Sequence, residues 1–398
     1  MLKIIFSLRL LLIFNFISYT YEAIINEKRH MWNTTIKVHM DKKVDKWYIR
    51  KALQKIQEHT CLRFIEQSYI VFLENGINFE YDKFNFDCRA ERIGMHDRKW
   101  ANHIFIGKNC YRDKMMILYH ILQTLGLYPE DTRIDRDQYV NYSYWNTQLY
   151  EKYRFKINDP KKTTFFDTKY DYGSITHYSS KAYSKNPKKD NVLTPLEHVR
   201  FNIKTIGQRR MVGFNDYKLI NYNYCLHRCR GIVSINCENN GYQDPNKCIR
   251  CACPYPFQGQ VCDKLIPSGY HCPKTQKYLS GYWEKELSFR GPRHCFIMLQ
   301  DEYSYRRIEI TVTYLDLYEY TPCITSDDVL EIKYKADYSV MGLCLCGFIE
   351  NYKIRTENNK AIVIYNGKYW GNVAKLTYKS ITPCGQRFCN KDKRVWPN

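Results

Sequence analysis

Two histidines and a tyrosine in the first half of the chain are of types that could support chemistry. His120 lies in a mostly apolar run, and His177 directly precedes Tyr178. A zinc site on a helix needs histidines at positions i and i+4, because these two positions share one helical face. The residue four positions after His120 is Thr124. Two histidines without a third donor are more often ordinary cleft or core residues, so we expect no metal site from His120 and His177 alone.

The run that contains His120 predicts one of two helices in this half. It covers residues 113–125 and stops at Gly126, a residue type that commonly ends helices. Its apolar character indicates that the helix is largely buried. A second helix is predicted over residues 45–59, where apolar side chains recur at helical spacing and Lys, Arg and Gln occupy the opposite face.

Strands are predicted in both halves of the chain. Asn75-Gly76, a dipeptide suited to tight turns, predicts a hairpin between residues 69–73 and 77–81, and residues 104–106 predict a short strand. The last third alternates apolar and polar residues, which predicts an all-β sandwich. Its apolar positions include Ile308, Ile310, Val312, Tyr314, Leu330, Ile332 and Tyr334, with further runs at 362–365 and 373–378.

The 17 cysteines divide the chain into three parts. Three precede residue 225, seven lie between Cys225 and Cys262, and seven follow from Cys272. This step predicts a large first domain followed by a small module that needs disulfides to fold. Disulfides persist in oxidising compartments, and an odd count leaves one thiol unpaired or shared with another chain.

The first 20 residues resemble a secretory signal, with Lys3 before a run rich in Leu, Ile and Phe. Asn33 and Asn141 begin glycosylation acceptor triplets, which matter only in an exported protein. No later window supplies the roughly 20 apolar residues of a membrane helix. We therefore predict a secreted, extracellular protein without a membrane span.

The formal charge of +20 raises the question of a polyanionic partner. Lys-rich stretches such as residues 181–189 are scattered, and no nucleic-acid motif is present. We expect no nucleic-acid partner. Weak binding of polyanions stays an open alternative.

Many short motifs of the first 225 residues occur in the order found in one protein family. They are residues 32–64, Cys88, Cys110, Gly126-Leu127-Tyr128, Glu130, Arg133, Asp135-Arg136-Asp137, Tyr139-Val140, residues 170–175 and residues 206–209 through Cys225. Residues 30–225 thereby resemble the astacin family of zinc metalloendopeptidases. The resemblance implies a two-lobed α+β domain of the metzincin type. Residues 21–29 would be a short pro-segment cut after Lys28-Arg29.

Active members of that family hold zinc with three histidines and use a glutamate as the base, in the pattern HExxHxxGxxH. Gly126 aligns this pattern with residues 119–129. The three ligand positions are then Tyr119, Gln123 and Pro129, and the glutamate position is His120. Tyr and Gln are poor neutral donors for zinc and Pro has none. We therefore expect no metal ligands, no catalytic base and no cofactor in this chain.

Three further family positions lie outside this run. The methionine of the family's Met-turn is replaced by Thr176, whereas the tyrosine that stabilises the oxyanion in active relatives is present as Tyr178. Without a metal, Tyr178 is expected to be an ordinary buried tyrosine. The glutamate that meets a freed N-terminus in the family corresponds to Glu130.

The resemblance also implies the disulfide pairs and the later modules. Residues 226–263 resemble an EGF-like module, residues 272–380 resemble a CUB domain more loosely, and residues 381–398 form a tail. The implied pairs are Cys61–Cys225, Cys88–Cys110, Cys229–Cys248, Cys237–Cys251, Cys253–Cys262 and Cys272–Cys295, with Cys384–Cys389 as an option. Cys344 and Cys346 compete for Cys323.

Three functions are compatible with these observations. The first is a secreted pseudoprotease whose cleft binds an extracellular peptide or protein without cutting it. The second is an active zinc metalloendopeptidase with ligands outside the expected positions. The third is an adhesion or scaffold protein that acts through its EGF-like and CUB modules.

Overall fold

The computed structural model describes residues 23–96 and 99–382. The predicted signal segment 1–20 lies outside the described residues. So does the tail from residue 383 onward, which carries Cys384 and Cys389.

Helices of the first domain include the two that were predicted from the sequence. Those described are α1 (Lys46–His59), α2 (Lys114–Thr124), α3 (Val199–Thr205) and α4 (Phe214–Tyr224). Asp45 caps α1 by accepting a hydrogen bond from the Trp47 amide, and Asp113 caps α2 by accepting from Met115 and Met116. Gly126 follows α2 with a φ of +103° that favours glycine. The two predicted helices are thus confirmed within one residue at each end.

A five-stranded sheet lies beside α1 and α2. The first-domain strands are β1 (Ile24–Ile25), β2 (Thr35–Met40), β3 (Arg63–Gln67), β4 (Gly76–Tyr81), β5 (Arg89–Ala90), β6 (Asn102–Ile106), β7 (Val140–Tyr142), β8 (Thr163–Thr164) and β9 (Leu193–Pro195). The sheet order is β3-β2-β4-β6-β5. Only β5, at one edge, runs antiparallel to its neighbour.

The predicted hairpin around Asn75-Gly76 is wrong. β4 pairs in parallel with β2 and β6 and not with the preceding residues. Residues 69–73 form no strand. Instead the Asn78 side chain binds both the amide and the carbonyl of Val71, at 3.0 Å each. This side-chain pairing satisfies the backbone that a hairpin ladder would have used.

Residues 23–25, which lie in the predicted pro-segment 21–29, pack against the first domain. Ala23, Ile24 and Ile25 are at most 3% exposed. β1 pairs with β8, and the Ile25 amide donates to the Gly126 carbonyl at 2.9 Å. This segment therefore covers the end of α2.

A small disulfide-rich module follows α4. It consists of two short ladders, in which β10 (Tyr242–Gln243) pairs with β11 (Cys251–Ala252) and β12 (Phe257–Gln258) pairs with β13 (Lys264–Leu265). Three disulfides join Cys229 to Cys248, Cys237 to Cys251 and Cys253 to Cys262.

The last part of the chain is a two-sheet β-sandwich. Its strands are β14 (Lys277–Leu279), β15 (Lys285–Arg290), β16 (Arg293–Gln300), β17 (Arg307–Asp316), β18 (Val329–Lys333), β19 (Leu343–Leu345), β20 (Phe348–Arg355), β21 (Lys360–Gly367) and β22 (Val373–Ile381). The sheet orders are β14-β16-β21-β18-β19 and β15-β22-β17-β20. Ile308, Ile310 and Val312 face the core as predicted, but a register shift after Val312 buries Leu315 where Tyr314 was expected.

Seven disulfides lie within the described residues. The remaining four join Cys61 to Cys225, Cys88 to Cys110, Cys272 to Cys295 and Cys323 to Cys346. The open choice at Cys323 is therefore decided for Cys346. Cys344 is a buried free thiol in this part of the chain.

Candidate functional site

A cleft of about 1040 Å³ lies in the first domain, between the edge strand β5 and the second half of the domain. The α2 side chains Tyr119, His120 and Gln123 line it. Pro129, Tyr178 and Arg209 also line it, from three other segments. The fold therefore brings together every position that the family pattern assigned to metal, base or oxyanion.

Tyr119 and Gln123 are bonded to each other across one turn of α2. The Gln123 amide nitrogen donates to the Tyr119 hydroxyl at 2.9 Å. This contact is possible because residues i and i+4 share a helical face, the same geometry that two zinc-binding histidines require. Burial raises the pKa of Tyr119, so its phenol stays protonated at neutral pH.

His120 extends this chain of hydrogen bonds. Its Nδ1 lies 3.0 Å from the Gln123 amide oxygen, which makes Nδ1 the protonated nitrogen. Its Nε2 is buried without a hydrogen-bond partner among the described residues. Burial lowers the pKa of His120 to about 4, so the ring is neutral at neutral pH.

Arg209 lies over the ring of Tyr119. The guanidinium carbon is 4.3 Å from the ring centroid, the distance of a cation–π contact. Its Nη1 donates to the carbonyls of His177 and Gln208, at 2.8 and 2.9 Å. A fixed positive charge thus stands beside the first expected ligand position. Beyond its place in the motif at residues 206–209, no role for Arg209 was predicted from the sequence, because only the fold brings it to α2.

Pro129 is buried and precedes a short 3-10 turn over Glu130–Thr132. Its ring supplies no lone pair to a metal. The next residue, Glu130, is also buried, and its Oε1 accepts from Arg133 Nη1 at 3.2 Å and from the Asp171 amide at 3.0 Å. Glu130 therefore joins the segment that carries Arg133 to the segment that carries Asp171.

Tyr178 and His177 are held by different neighbours. Tyr178 packs edge-on against Phe155 and Tyr183, and burial raises the pKa of its phenol. His177 is fully buried, with Nε2 at 2.7 Å from the Tyr170 hydroxyl and Nδ1 at 2.7 Å from the Tyr178 carbonyl. Since both ring nitrogens are engaged, His177 has none left for a ligand.

The residues present do not fit a zinc ion of the family type. The three positions offer a protonated phenol, an amide already bonded to it, and a proline. None of these competes with imidazole as a zinc ligand. Arg209 adds a like charge beside them.

Comparisons with known proteins identify the family of the first domain. Residues 24–225, just over half of the chain, match the peptidase family described as Astacin. The matched stretch includes the buried strand β1.

Named relatives are zinc metalloproteinases of nematodes. The chain is 28% identical over 334 residues to "Zinc metalloproteinase dpy-31" of Teladorsagia circumcincta, which covers 81% of this chain and 52% of that protein. It is 36% identical over 222 residues to "Zinc metalloproteinase dpy-31" of Caenorhabditis elegans, which covers 56% of this chain and 36% of that protein. The chain thus spans about half the length, or less, of these relatives.

One solved structure that aligns with the chain is high choriolytic enzyme 1 of Oryzias latipes, a hatching enzyme zinc-protease. It shares 24% identity and covers 51% of this chain and 99% of its own, with a TM-score of 0.44. The conclusion on family rests on the matched stretch of residues 24–225: this chain belongs to the astacin family of peptidases.

Proposed function

We propose that this chain is a secreted, non-catalytic member of its family that binds peptide in the cleft without hydrolysing it. The observation that carries the proposal is the replacement of all three ligand positions by Tyr119, Gln123 and Pro129, of which the first two are bonded to each other. Structural zinc sites owe on the order of 10 kcal/mol to their ligands. Outer contacts cannot replace the loss of three ligands out of three.

Peptide binding is supported by the edge of the sheet. Among the described residues β5 pairs only with β6, on one side, and both of its residues line the cleft. An unpaired strand edge can accept an extended peptide by backbone hydrogen bonds without a metal. The cleft lies beside this edge.

Secretion and the assignment of the two later domains are part of the same proposal. Disulfides in every part of the chain fit an oxidising compartment. Asn33 and Asn141 are both exposed, as glycan acceptors must be. No helix among the described residues is long and apolar enough to cross a membrane. We assign the disulfide-rich module and the sandwich as EGF-like and CUB domains, and an extracellular peptide or protein as partner.

The first test is the zinc content and activity of the exported protein. We expect less than about one tenth of an equivalent of zinc after purification and no chelator-sensitive cleavage of casein. One equivalent of zinc together with such cleavage would overturn the proposal.

The second test concerns peptide binding. Excess protein should slow casein digestion by an active relative, because both compete for substrate. Ala182, which lines the cleft, gives a blocking variant, Ala182→Trp, and the exposed Ala336 of the sandwich gives the matched control, Ala336→Trp. Competition should be lost in the first variant and kept in the second. No slowing by the unmodified protein at saturating excess would contradict peptide binding.

The competing candidate is an active zinc metalloendopeptidase. It is favoured by the names of the relatives, which are zinc metalloproteinases. The zinc measurement separates the two candidates directly, because this activity requires the bound metal.

A further inference from the structure

We propose that the C-terminal β-sandwich is a positioning element of the cleft, which holds the two segments that carry Tyr178 and Arg209 through Met341 and Asp327. This inference rests on the proposed function only in naming peptide as what the cleft binds. The contacts themselves are between the sandwich and the first domain.

The first segment is the turn at residues 171–178. Met341 packs so closely on Gly173 that a Cβ at residue 173 would lie 2.6 Å from its side-chain atoms. The Met341 amide also donates to Asp171 Oδ1 at 3.1 Å, an oxygen that accepts from the Gly173 amide at 2.8 Å. The sandwich therefore contacts both the side chain and the backbone at the start of the turn.

Further hydrogen bonds connect this turn to the cleft. Asp216 Oδ2 accepts from the Ile175 amide at 3.0 Å, and Asp131 Oδ1 accepts from the Tyr178 amide at 2.8 Å. The residues between Asp171 and Tyr178 are all buried, so the turn has little room to move independently. Tyr178 then lines the cleft.

The second segment is the stretch at residues 208–210. Gln208 donates to the Gly173 carbonyl at 2.7 Å, so it shares the support of the first segment. Arg210 Nη1 lies 2.7 Å from Oδ1 of Asp327, a fully buried sandwich carboxylate. Between these anchors lies Arg209, whose guanidinium covers Tyr119.

The sandwich loop that carries Met341 is itself fixed. Lys333, which is 6% exposed, donates to the carbonyls of Tyr338 and Val340 at 3.0 and 2.5 Å. Glu331 accepts from the Gly342 amide at 2.7 Å. Asn240 of the disulfide-rich module accepts from the Tyr338 amide at 3.0 Å. A loop held at three points is suited to fix its neighbour and is not a mobile tether.

Helix α3 provides a second attachment between the same two domains. Phe201 is 2% exposed and belongs to the sandwich core, with its ring 4.6 Å from that of Tyr352. The Cys323 amide donates to the Lys204 carbonyl at 2.9 Å, and Thr205 donates to the Cys323 carbonyl at 3.0 Å. The sandwich and the first domain thus share core, backbone and ionic contacts.

The test uses the full chain and two measurements. Hydrogen exchange reports the amides of Gly173, Ile175 and Tyr178, and anisotropy of a fluorescein-labelled casein peptide reports affinity. Met341→Gly should speed exchange at these amides by on the order of tenfold and weaken peptide binding by roughly fivefold. Met341→Leu should keep both values within about twofold, because it restores the packing on Gly173. Amides of β6 should be unchanged in both variants.

A matched pair of charge variants extends the test. Arg210→Gln removes the ion pair between Arg210 and Asp327 and should weaken peptide binding by about threefold, since it loosens the segment of Arg209. Arg355→Gln removes an ion pair with Glu309 inside the sandwich, at 3.0 Å, and should leave peptide binding unchanged. Equal losses in the two variants would point to general destabilisation and overturn the proposal.

The outcomes separate this inference from the proposed function. Unchanged exchange at residues 173–178 in Met341→Gly overturns the positioning role, whatever the affinity. Faster exchange with full peptide affinity overturns it as well, because the turn would then not matter for the cleft. If the unmodified protein does not bind the peptide but Met341→Gly still speeds exchange, the contact with the sandwich is supported and only the proposed function is refuted.

Discussion

The carboxamide of Gln123 donates a 2.9 Å hydrogen bond to the hydroxyl of Tyr119, one helical turn away on α2. In this family these positions would hold two zinc-binding histidines. The polar face of the helix is thus retained, but its atoms bind each other and not a metal. A zinc site can therefore be restored only by changing the side chains, because the backbone already has the required spacing.

We predict that Tyr119→His, Gln123→His, Pro129→His and His120→Glu together give a protein that retains about one equivalent of zinc. The imidazoles at 119 and 123 would share one face, and the third would come from the turn after Gly126. Metal analysis after dialysis measures this. Tyr119→Phe, which breaks the same hydrogen bond without adding a donor, is the control and should stay free of zinc. Zinc retained equally by both variants would show that the metal binds elsewhere.

Phe201→Ala should destabilise the full chain by about 3 to 5 kcal/mol, because Phe201 fills the core of the sandwich although it lies on α3 of the first domain. Urea unfolding followed by tryptophan fluorescence measures this. Val199→Ala is the matched control on the same helix, since Val199 is 42% exposed, and should change stability by less than about 0.5 kcal/mol. Equal small effects would mean that α3 does not share the sandwich core.

Helix α2 and strand β4 show which parts of the fold could be predicted from the sequence and which could not. Helix α2 was predictable because its apolar run, its capping Asp113 and Gly126 all act within a few residues. The pairing of β4 with β2 and β6 was not, since parallel partners come from distant parts of the chain and Asn75-Gly76 reports only on local turns.

The cleft also contains some residues that could be predicted from the sequence and others that could not. Alignment with the family pattern located Tyr119, Gln123 and Pro129 along the chain. The cation over Tyr119 comes from Arg209, far away in sequence, and the support under Gly173 comes from Met341 in another domain. Contacts of this kind carry no local periodicity, so they required the structure.

Cys344 should resist alkylation in the folded protein and react fully in denaturant. It is 1% exposed, and burial raises the pKa of its thiol, which keeps the reactive thiolate scarce. Iodoacetamide labelling followed by mass spectrometry of the peptide containing residue 344 measures this. Labelling of Cys346 or Cys323 in place of Cys344 would contradict the observed Cys323–Cys346 bond.

The stability contributed by His120 should depend on pH. Its folded pKa is about 4, below the ordinary value of 6.5, so the folded state binds fewer protons than the unfolded state between these values. The stability contributed by His120 is fully present above about pH 6.5 and is lost as the pH falls toward the folded pKa of about 4. Relative to His120→Gln, the wild-type chain should therefore lose up to about 2 kcal/mol of unfolding free energy between about pH 7 and about pH 5.

The comparison must be made between these two proteins, because buried carboxyls act in the opposite direction. Burial raises the pKa of Asp131 and of Asp171 to about 6, so each of these groups destabilises the fold as pH rises through that range. Both proteins contain these carboxyls, and their effect cancels in the difference. Urea midpoints at about pH 5, 6 and 7 supply the measurement. A difference between wild type and His120→Gln that stays constant across the three values would mean that His120 titrates normally and is not buried as the structure shows.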